Sequence, residues 1–219
     1  MLATNEAIRQ GQQKDRREEH RARRCNLIVT TVIPSKKSHE VHNRRIVLRG
    51  QKLYVDTDVA DHEHENEKEK EQVFEIDDHE NKEPFGHPFA GYFLPYPDSK
   101  YEGLVSTICE DPPVLNWIYV DKETHEVKYG VRLDAQGNIT GPFDCTRQDR
   151  RMTLEGWEGF VAVEESPGLW ALYFDRNDDG LRSKFGKSKR VLEVELWRKE
   201  KRWKKDPLVR QEEQARQTS

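Results

Sequence analysis

The segment Leu196–Lys205 reads LWRKEKRWKK, and it combines the two side-chain types that recognise single-stranded nucleic acid. Six of its ten residues are Lys or Arg and two are Trp. An indole offers a flat face on which a base stacks, while ammonium and guanidinium groups meet the phosphates. In extended geometry alternate side chains share a face, which puts Trp197, Lys199, Lys201, Trp203 and Lys205 on one side. The two rings then stand about 20 Å apart, at ~3.3 Å per residue. A helix would instead group Trp197 with Lys201 and Lys204 and turn Trp203 away. The spacing nominates Trp197 and Trp203 as stacking residues, and Lys199, Lys201, Arg202, Lys204 and Lys205 as phosphate contacts. Two plainer readings compete with this one. In the first, Trp197 closes the end of a barrel and the cations only solubilise a chain end. In the second, the basic segment pairs with acidic sequence of the same chain.

Other constellations carry less chemistry. Asp175-Arg176-Asn177-Asp178-Asp179-Gly180 matches the first half of a calcium loop, with oxygen ligands at positions 1, 3 and 5 and Gly at 6. Position 12 of such a loop needs a carboxylate, and here it is Gly186, with Arg182 and Lys184 intervening. A polar hairpin turn, in which Asn and Gly supply positive φ, is the expected reading. His62, His64, His79 and His87 lie in or near an acidic run, without the fixed geometry that a specific metal site needs. No G-x-S-x-G or phosphate-cradling glycine loop occurs, and Cys109 and Cys145 lack a recognisable His or Asn context. Glu155/Glu158 and Glu164/Glu165 are pairs that 41 acidic residues produce by chance. These observations nominate no catalytic residue, metal site or cofactor. Trp117, Trp157 and Trp170 are expected in the core; in the alternative, the turn Gly156-Trp157-Glu158-Gly159 offers Trp157 to a ligand.

The elements that must position these groups follow from composition and pattern. The 219 residues are 34% hydrophobic and 36% charged, against about 45–50% and 25% in an ordinary globular chain. The deficit implies a compact core with substantial solvated segments. A net charge of −4 conceals segregation: residues 9–24 carry +4, residues 56–83 carry −10, and residues 182–205 carry +8. Three cysteines at no metal-like spacing suit a reduced compartment. The N-terminal sequence lacks the apolar core of a signal peptide, and the longest aliphatic stretch, Leu27–Ile33, falls far short of the ~20 residues of a membrane helix. The expected location is intracellular, cytoplasmic or nuclear, with no membrane partner.

The pattern predicts an exposed helical arm over 3–24, a strand over Asn26–Ile33 and a hairpin of Arg45–Arg49 and Lys52–Asp56 about Gly50-Gln51. Residues 57–83 read as a disordered acidic loop, and residues 85–97, with five aromatics and three prolines, as an irregular segment laid across the core. Further strands are expected at Asn116–Val120, Val127–Leu133, Phe160–Glu164, Leu169–Phe174 and Arg190–Trp197. Asp206-Pro207 opens a mobile terminal helix over 206–219. The fold class is therefore mainly β (α+β): an antiparallel meander forming a barrel or rolled sheet over 25–205, with charged helical or disordered arms at both ends. Its lack of βαβ alternation argues against a parallel α/β enzyme.

The stretches NWIYVDKETHEVKYG, GPFDCT, RRMTLEGWEGFVAVEE and LWALYFDRNDDGL are similar to a set of uncharacterised proteins of filamentous fungi, over roughly residues 86–205. The resemblance implies an origin and a domain boundary and adds no chemistry. The expected function is a non-enzymatic binding module that docks on RNA, DNA or a ribonucleoprotein through the basic Trp-containing segment within 182–205, helped by the basic arm at 9–24. The alternatives are a protein–protein adaptor using the acidic loop and the aromatic segment 85–96, and an enzyme or small-ligand binder with a pocket inside the barrel.

Overall fold

The computed structural model describes residues 21–57, 85–110, 112–146 and 150–200. Most of the expected N-terminal arm, the acidic loop after Thr57 and the C-terminal helix lie outside the described residues.

β1 (Cys25–Thr31) alternates buried and half-buried positions, because Cys25, Leu27 and Val29 share its inner face. β2 (Ile46–Arg49) and β3 (Lys52–Val55) form the expected hairpin. Its two turn residues, Gly50 and Gln51, both have positive φ (51° and 65°), the twist that a two-residue hairpin requires. The aromatic segment is more regular than its prolines suggested. It contains β4 (His87–Pro88) and β5 (Gly91–Pro95), each ending on its proline, where the missing N–H interrupts no further pairing. β6 (Glu102–Glu110) and β7 (Pro113–Val120) follow as a long hairpin.

β8 stops at Val127–Gly130, short of the expected Leu133. The Asp134 carboxylate accepts the Val131 N–H at 3.0 Å and starts a helical turn over Arg132–Ala135, leaving Leu133 exposed. β9 (Phe143–Cys145) and β10 (Met152–Leu154) make a separate two-stranded sheet. β11 (Phe160–Ser166), β12 (Leu169–Phe174) and β13 (Arg190–Glu200) complete the chain of strands, the last running three residues beyond the expected Trp197.

Hydrogen-bonded neighbours run β12-β11-β13-β1-β5-β6-β7-β8-β3, and β3 also pairs with β12. This closes an antiparallel barrel of nine strands, with β2 and β4 attached at the β3 side. The interior is filled by Trp170, Phe89, Phe143, Phe174, Leu27 and Leu104 among others, all essentially inaccessible. Side chains thus occupy the space that an internal ligand pocket would need. Trp170 donates its indole N–H to Glu40 at 3.0 Å, which satisfies its one polar atom. Trp117 and Trp157, expected in the core, are only half-buried at its margin.

The closing seam is thin in backbone pairing, with one register pair to each neighbour: Lys52↔Lys128 and Ala171↔Tyr54. A side-chain network reinforces it. Lys52 Nζ pairs with Glu126 at 2.8 Å and with Glu165, and the Tyr173 hydroxyl donates to Glu165 at 2.7 Å. Lys128 holds Glu126 and Asp121 at 3.1 and 2.9 Å. Burial opposes the charge on Lys52 and on Glu126. Their mutual hydrogen bonds and ion pairs outweigh it, so the ammonium sits above its ordinary pKa and the carboxyl below.

The calcium-like motif is a turn, although not a hairpin. β12 pairs with β11 and not with β13, so residues 175–189 cross over β11 to reach the far strand. Leu181 and Phe185 in this crossing pack on Val161, Val163, Ala171 and Tyr173 on the outside of the sheet. Positive φ falls on Asp178, Gly180 and Leu181 and not on Asn177.

Candidate nucleic-acid interface at the barrel end

Of the seven residues that the sequence nominates, Trp197 and Lys199 are described; Lys201, Arg202, Trp203, Lys204 and Lys205 lie outside the described residues. β13 pairs with β1 without interruption from Thr31↔Val194 to Cys25↔Glu200. Extended geometry therefore persists past Trp197, and Trp197 and Lys199 share the outer face, with Lys199 exposed.

Trp197 is half-buried. Its indole N–H donates to Glu195 at 3.2 Å, and the Arg151 guanidinium lies 5.8 Å from the ring centroid. Arg151 also bridges the Trp197 backbone and pairs with Glu195 at 2.5 Å. The ring thus has a cation as neighbour, which limits the area it offers to a base. The residue that closes this end of the barrel is Arg198. It follows Val194 and Leu196 in the inward alternation, and its guanidinium lies 4.6 Å from the Phe93 ring centroid. Arg198 Nε donates to Cys25 Sγ at 3.2 Å and its terminal nitrogen approaches Cys145 Sγ at 3.6 Å. Burial raises the Cys25 thiol pKa, and the neighbouring Arg198 offsets only part of that rise.

The antiparallel β1–β13 pair brings the described ends of the two basic segments, residues 21–24 and 198–200, to one place. The chain enters β1 at Cys25 opposite Glu200, where it leaves β13. Arg21, Arg23 and Arg24 therefore stand beside Arg198 and Lys199, and Arg150 joins them through its backbone carbonyl, which accepts the Arg198 N–H at 3.1 Å. Glu200 is held by Arg23 at 3.4 Å and Arg150 at 3.5 Å. Arg21 is anchored more firmly. It pairs with Glu102 and Asp144 and lies 4.5 Å from the Phe93 ring centroid. Burial opposes its charge, but hydrogen bonds to those two carboxylates outweigh it and hold the guanidinium above its ordinary pKa. The sequence suggests the basic run 9–24 as a helper of the C-terminal segment but gives no geometric reason for the two to meet. The signal was the strand that starts at the end of that run, once its partner strand was known.

Within the aromatic segment 85–96, Phe89 and Phe93 are buried in the barrel core and Phe85 in a separate cluster with Val47, while Tyr92 and Tyr96 are half-buried. Among the described residues no group of three or more His, Cys, Asp or Glu could hold a metal ion, and no helix is long and apolar enough to cross a membrane.

The closed nine-strand barrel agrees with a family match that covers most of the chain: residues 3–202 fit the model of the fungal beta-trefoil domain. This chain belongs to the fungal beta-trefoil domain family. The match extends the fungal similarity, first seen from about residue 86, back across the hairpin of β2 and β3, the acidic run and the basic N-terminal segment. No curated protein and no solved structure matches the chain. Within this trefoil domain β1 and β13 are neighbours, so the described basic residues just before Cys25 and at the end of β13 meet at one end of the barrel.

Proposed function

We propose that this fungal beta-trefoil domain is a non-enzymatic binding module that docks on RNA or DNA, alone or in a ribonucleoprotein, through the barrel end where β1 begins and β13 ends. The observation that carries the reading is the register Cys25↔Glu200, which sets residues 21–24, the end of the basic run 9–24, beside Arg198–Glu200 at the start of the basic C-terminal run. Arg23, Arg24, Arg150 and Lys199 lie at that root, and Lys201, Arg202, Lys204 and Lys205 follow directly in sequence. Clustered cations of this kind attract phosphates through counterion release, a sequence-independent term. Lys199, Lys201, Arg202, Lys204 and Lys205 contact the backbone; Trp203 stacks, and Trp197 contributes the part of its ring that Arg151 leaves open.

Single-stranded RNA of generic sequence, titrated with the full chain between 50 and 300 mM salt, tests this. Five phosphate contacts at a slope of about −0.7 each weaken binding by about 500-fold over that range. Replacing Lys199 and Arg150 together by Glu lowers affinity at 50 mM salt by at least ~10-fold on the same electrostatic ground. Absence of binding at 50 mM removes the proposal, and unchanged affinity in the double variant removes this end of the barrel from it.

A further inference from the structure

A second surface has the opposite charge. The pairing of β11 with β13 stops at Val161↔Glu193, and farther along β13 the next neighbour on that side is Arg151, bridged to Trp197. A cleft of about 300 Å³ opens at the gap between them, beside Glu195. Trp157, Phe160, Val32 and Val194 give it an apolar wall. The Trp157 indole lies directly over Gly159, where an added Cβ would stand 2.3 Å from the ring, so glycine is what lets this wall form.

The remaining walls are acidic. Arg151 is held between Glu158 at 3.0 Å and Glu195 at 2.5 Å, and Glu193, Asp175 and Asp178 complete the lining. Five carboxylates against one guanidinium leave four net negative charges. Asp175 supplies an independent indication of a ligand. It is 5% exposed, and one of its oxygens accepts the Gly180 N–H at 2.6 Å. Its other oxygen, Oδ1, is buried without a hydrogen-bond partner. Asp179 Oδ1 in the same loop is likewise buried without a hydrogen-bond donor. A buried anionic acceptor without a donor is costly, and a cationic donor entering the cleft removes that cost.

We propose that this cleft binds a primary alkylammonium group, with the charged head toward Asp175 and Glu193 and the methylene stem along Trp157. The aromatic wall favours an organic cation, through cation–π attraction and apolar contact, over a bare metal ion. The described carboxylates also form no cluster with metal-ligand geometry. The volume is at the lower limit of small-ligand pockets, enough for an ammonium on a short chain and too little for a nucleotide. The same chemistry is carried by free diamines and by lysine side chains of another protein.

Calorimetric titration of the full chain at 50 mM salt separates the outcomes, with cadaverine and doubly capped lysine as probes and 1,5-pentanediol and magnesium chloride as controls. The proposal expects saturable binding of cadaverine at one site, none of the diol, and at least ~10-fold weaker binding in Glu193→Gln and Asp175→Asn. If Asp175→Asn does not fold, Glu193→Gln and Gly159→Ala carry the comparison, the latter by displacing Trp157. Capped lysine binding as well as cadaverine assigns the site to protein lysines, and cadaverine alone assigns it to free diamines. No binding of either probe overturns the proposal, as do equal binding of the diol, equal binding of magnesium or an unchanged affinity in the variants. RNA binding is measured at a different end of the barrel, so its failure leaves this result intact.

Discussion

Replacing Lys52 by Met isolates what closes the barrel. Lys52 joins β3 to Glu126, next to β8, and to Glu165 on β11, across a seam with a single register pair on each side. The side chains of Lys52, Glu126 and Glu165 are 16%, 18% and 20% exposed, so the pairs are largely but not fully out of water. Breaking a fully buried pair costs about 3–5 kcal/mol and an exposed one about 0–1. Intermediate burial places the loss at roughly 2 kcal/mol, because Glu126 keeps Lys128 while Glu165 loses its cation. For a domain of this size that is a fall in Tm of about 4–8 °C, read by circular dichroism.

The pH dependence gives a sharper check. The Glu126 carboxyl is lowered from 4.5, so its contribution is complete above that value and disappears as pH falls through the lower folded pKa. Lys52 is raised from 10.5, so its contribution is complete below 10.5 and is lost as pH rises past it. The gap between wild type and Lys52→Met is therefore constant across neutral pH and narrows as pH falls below 4.5 through the lowered pKa of Glu126. Adding Glu165→Gln to Lys52→Met returns about half of the lost stability, since it removes the stranded charge. A Tm within 1 °C of wild type at pH 7, or a gap that widens on acidification, refutes the reasoning.

Two further perturbations test separate parts of the fold. The Asp121 carboxyl accepts the N–H groups of Glu123 and Thr124 at 2.9 and 3.0 Å and pairs with Lys128. Burial works against its charge, yet these partners lower its pKa from 3.8 to about 2. Its stabilisation, about 2 kcal/mol, is present above pH 3.8 and lost as pH falls through about 2, a slope that urea unfolding detects in wild type and not in Asp121→Asn. A Cβ at Gly91 would stand 2.2 Å from the Val105 carbonyl oxygen and 2.4 Å from the Phe89 ring. Gly91→Ala should therefore cost ~3 kcal/mol or more. Gly50→Ala, where no atom lies within 4 Å and only the positive φ matters, should cost ~1 kcal/mol in the same denaturation assay.

The charge layout orders the two binding proposals in space. The proposed phosphate contacts lie at the barrel end that holds Arg23, Arg24, Arg150 and Lys199, whereas the proposed ammonium site is the cleft on the flank lined by Asp175, Glu193 and Glu158. Trp197 stands between the two regions, with Arg151 and Glu195 both at its ring. It stands at the boundary between them, and less of its ring is open than its position in LWRKEKRWKK suggests.

Local pattern in the sequence accounts for several elements: the β-branched strand expected at Asn26–Ile33 and found at Cys25–Thr31, the Gly50-Gln51 hairpin, Leu169–Phe174, and a basic strand end at Trp197 and Lys199. These follow from side-chain alternation and turn chemistry, which act over a few residues. Prolines misled it at Pro88 and Pro95, because a missing N–H is harmless at a strand end and the sequence does not reveal where a strand ends. Only the tertiary structure decided that Cys25 lies opposite Glu200, that Arg198 and not Trp197 closes the barrel, and that Trp157, Asp175 and Glu193 share a cleft. Each of those depends on which strands become neighbours when the barrel closes. That choice is made by packing between residues well separated in sequence, 175 positions apart for Cys25 and Glu200, and no local pattern encodes it.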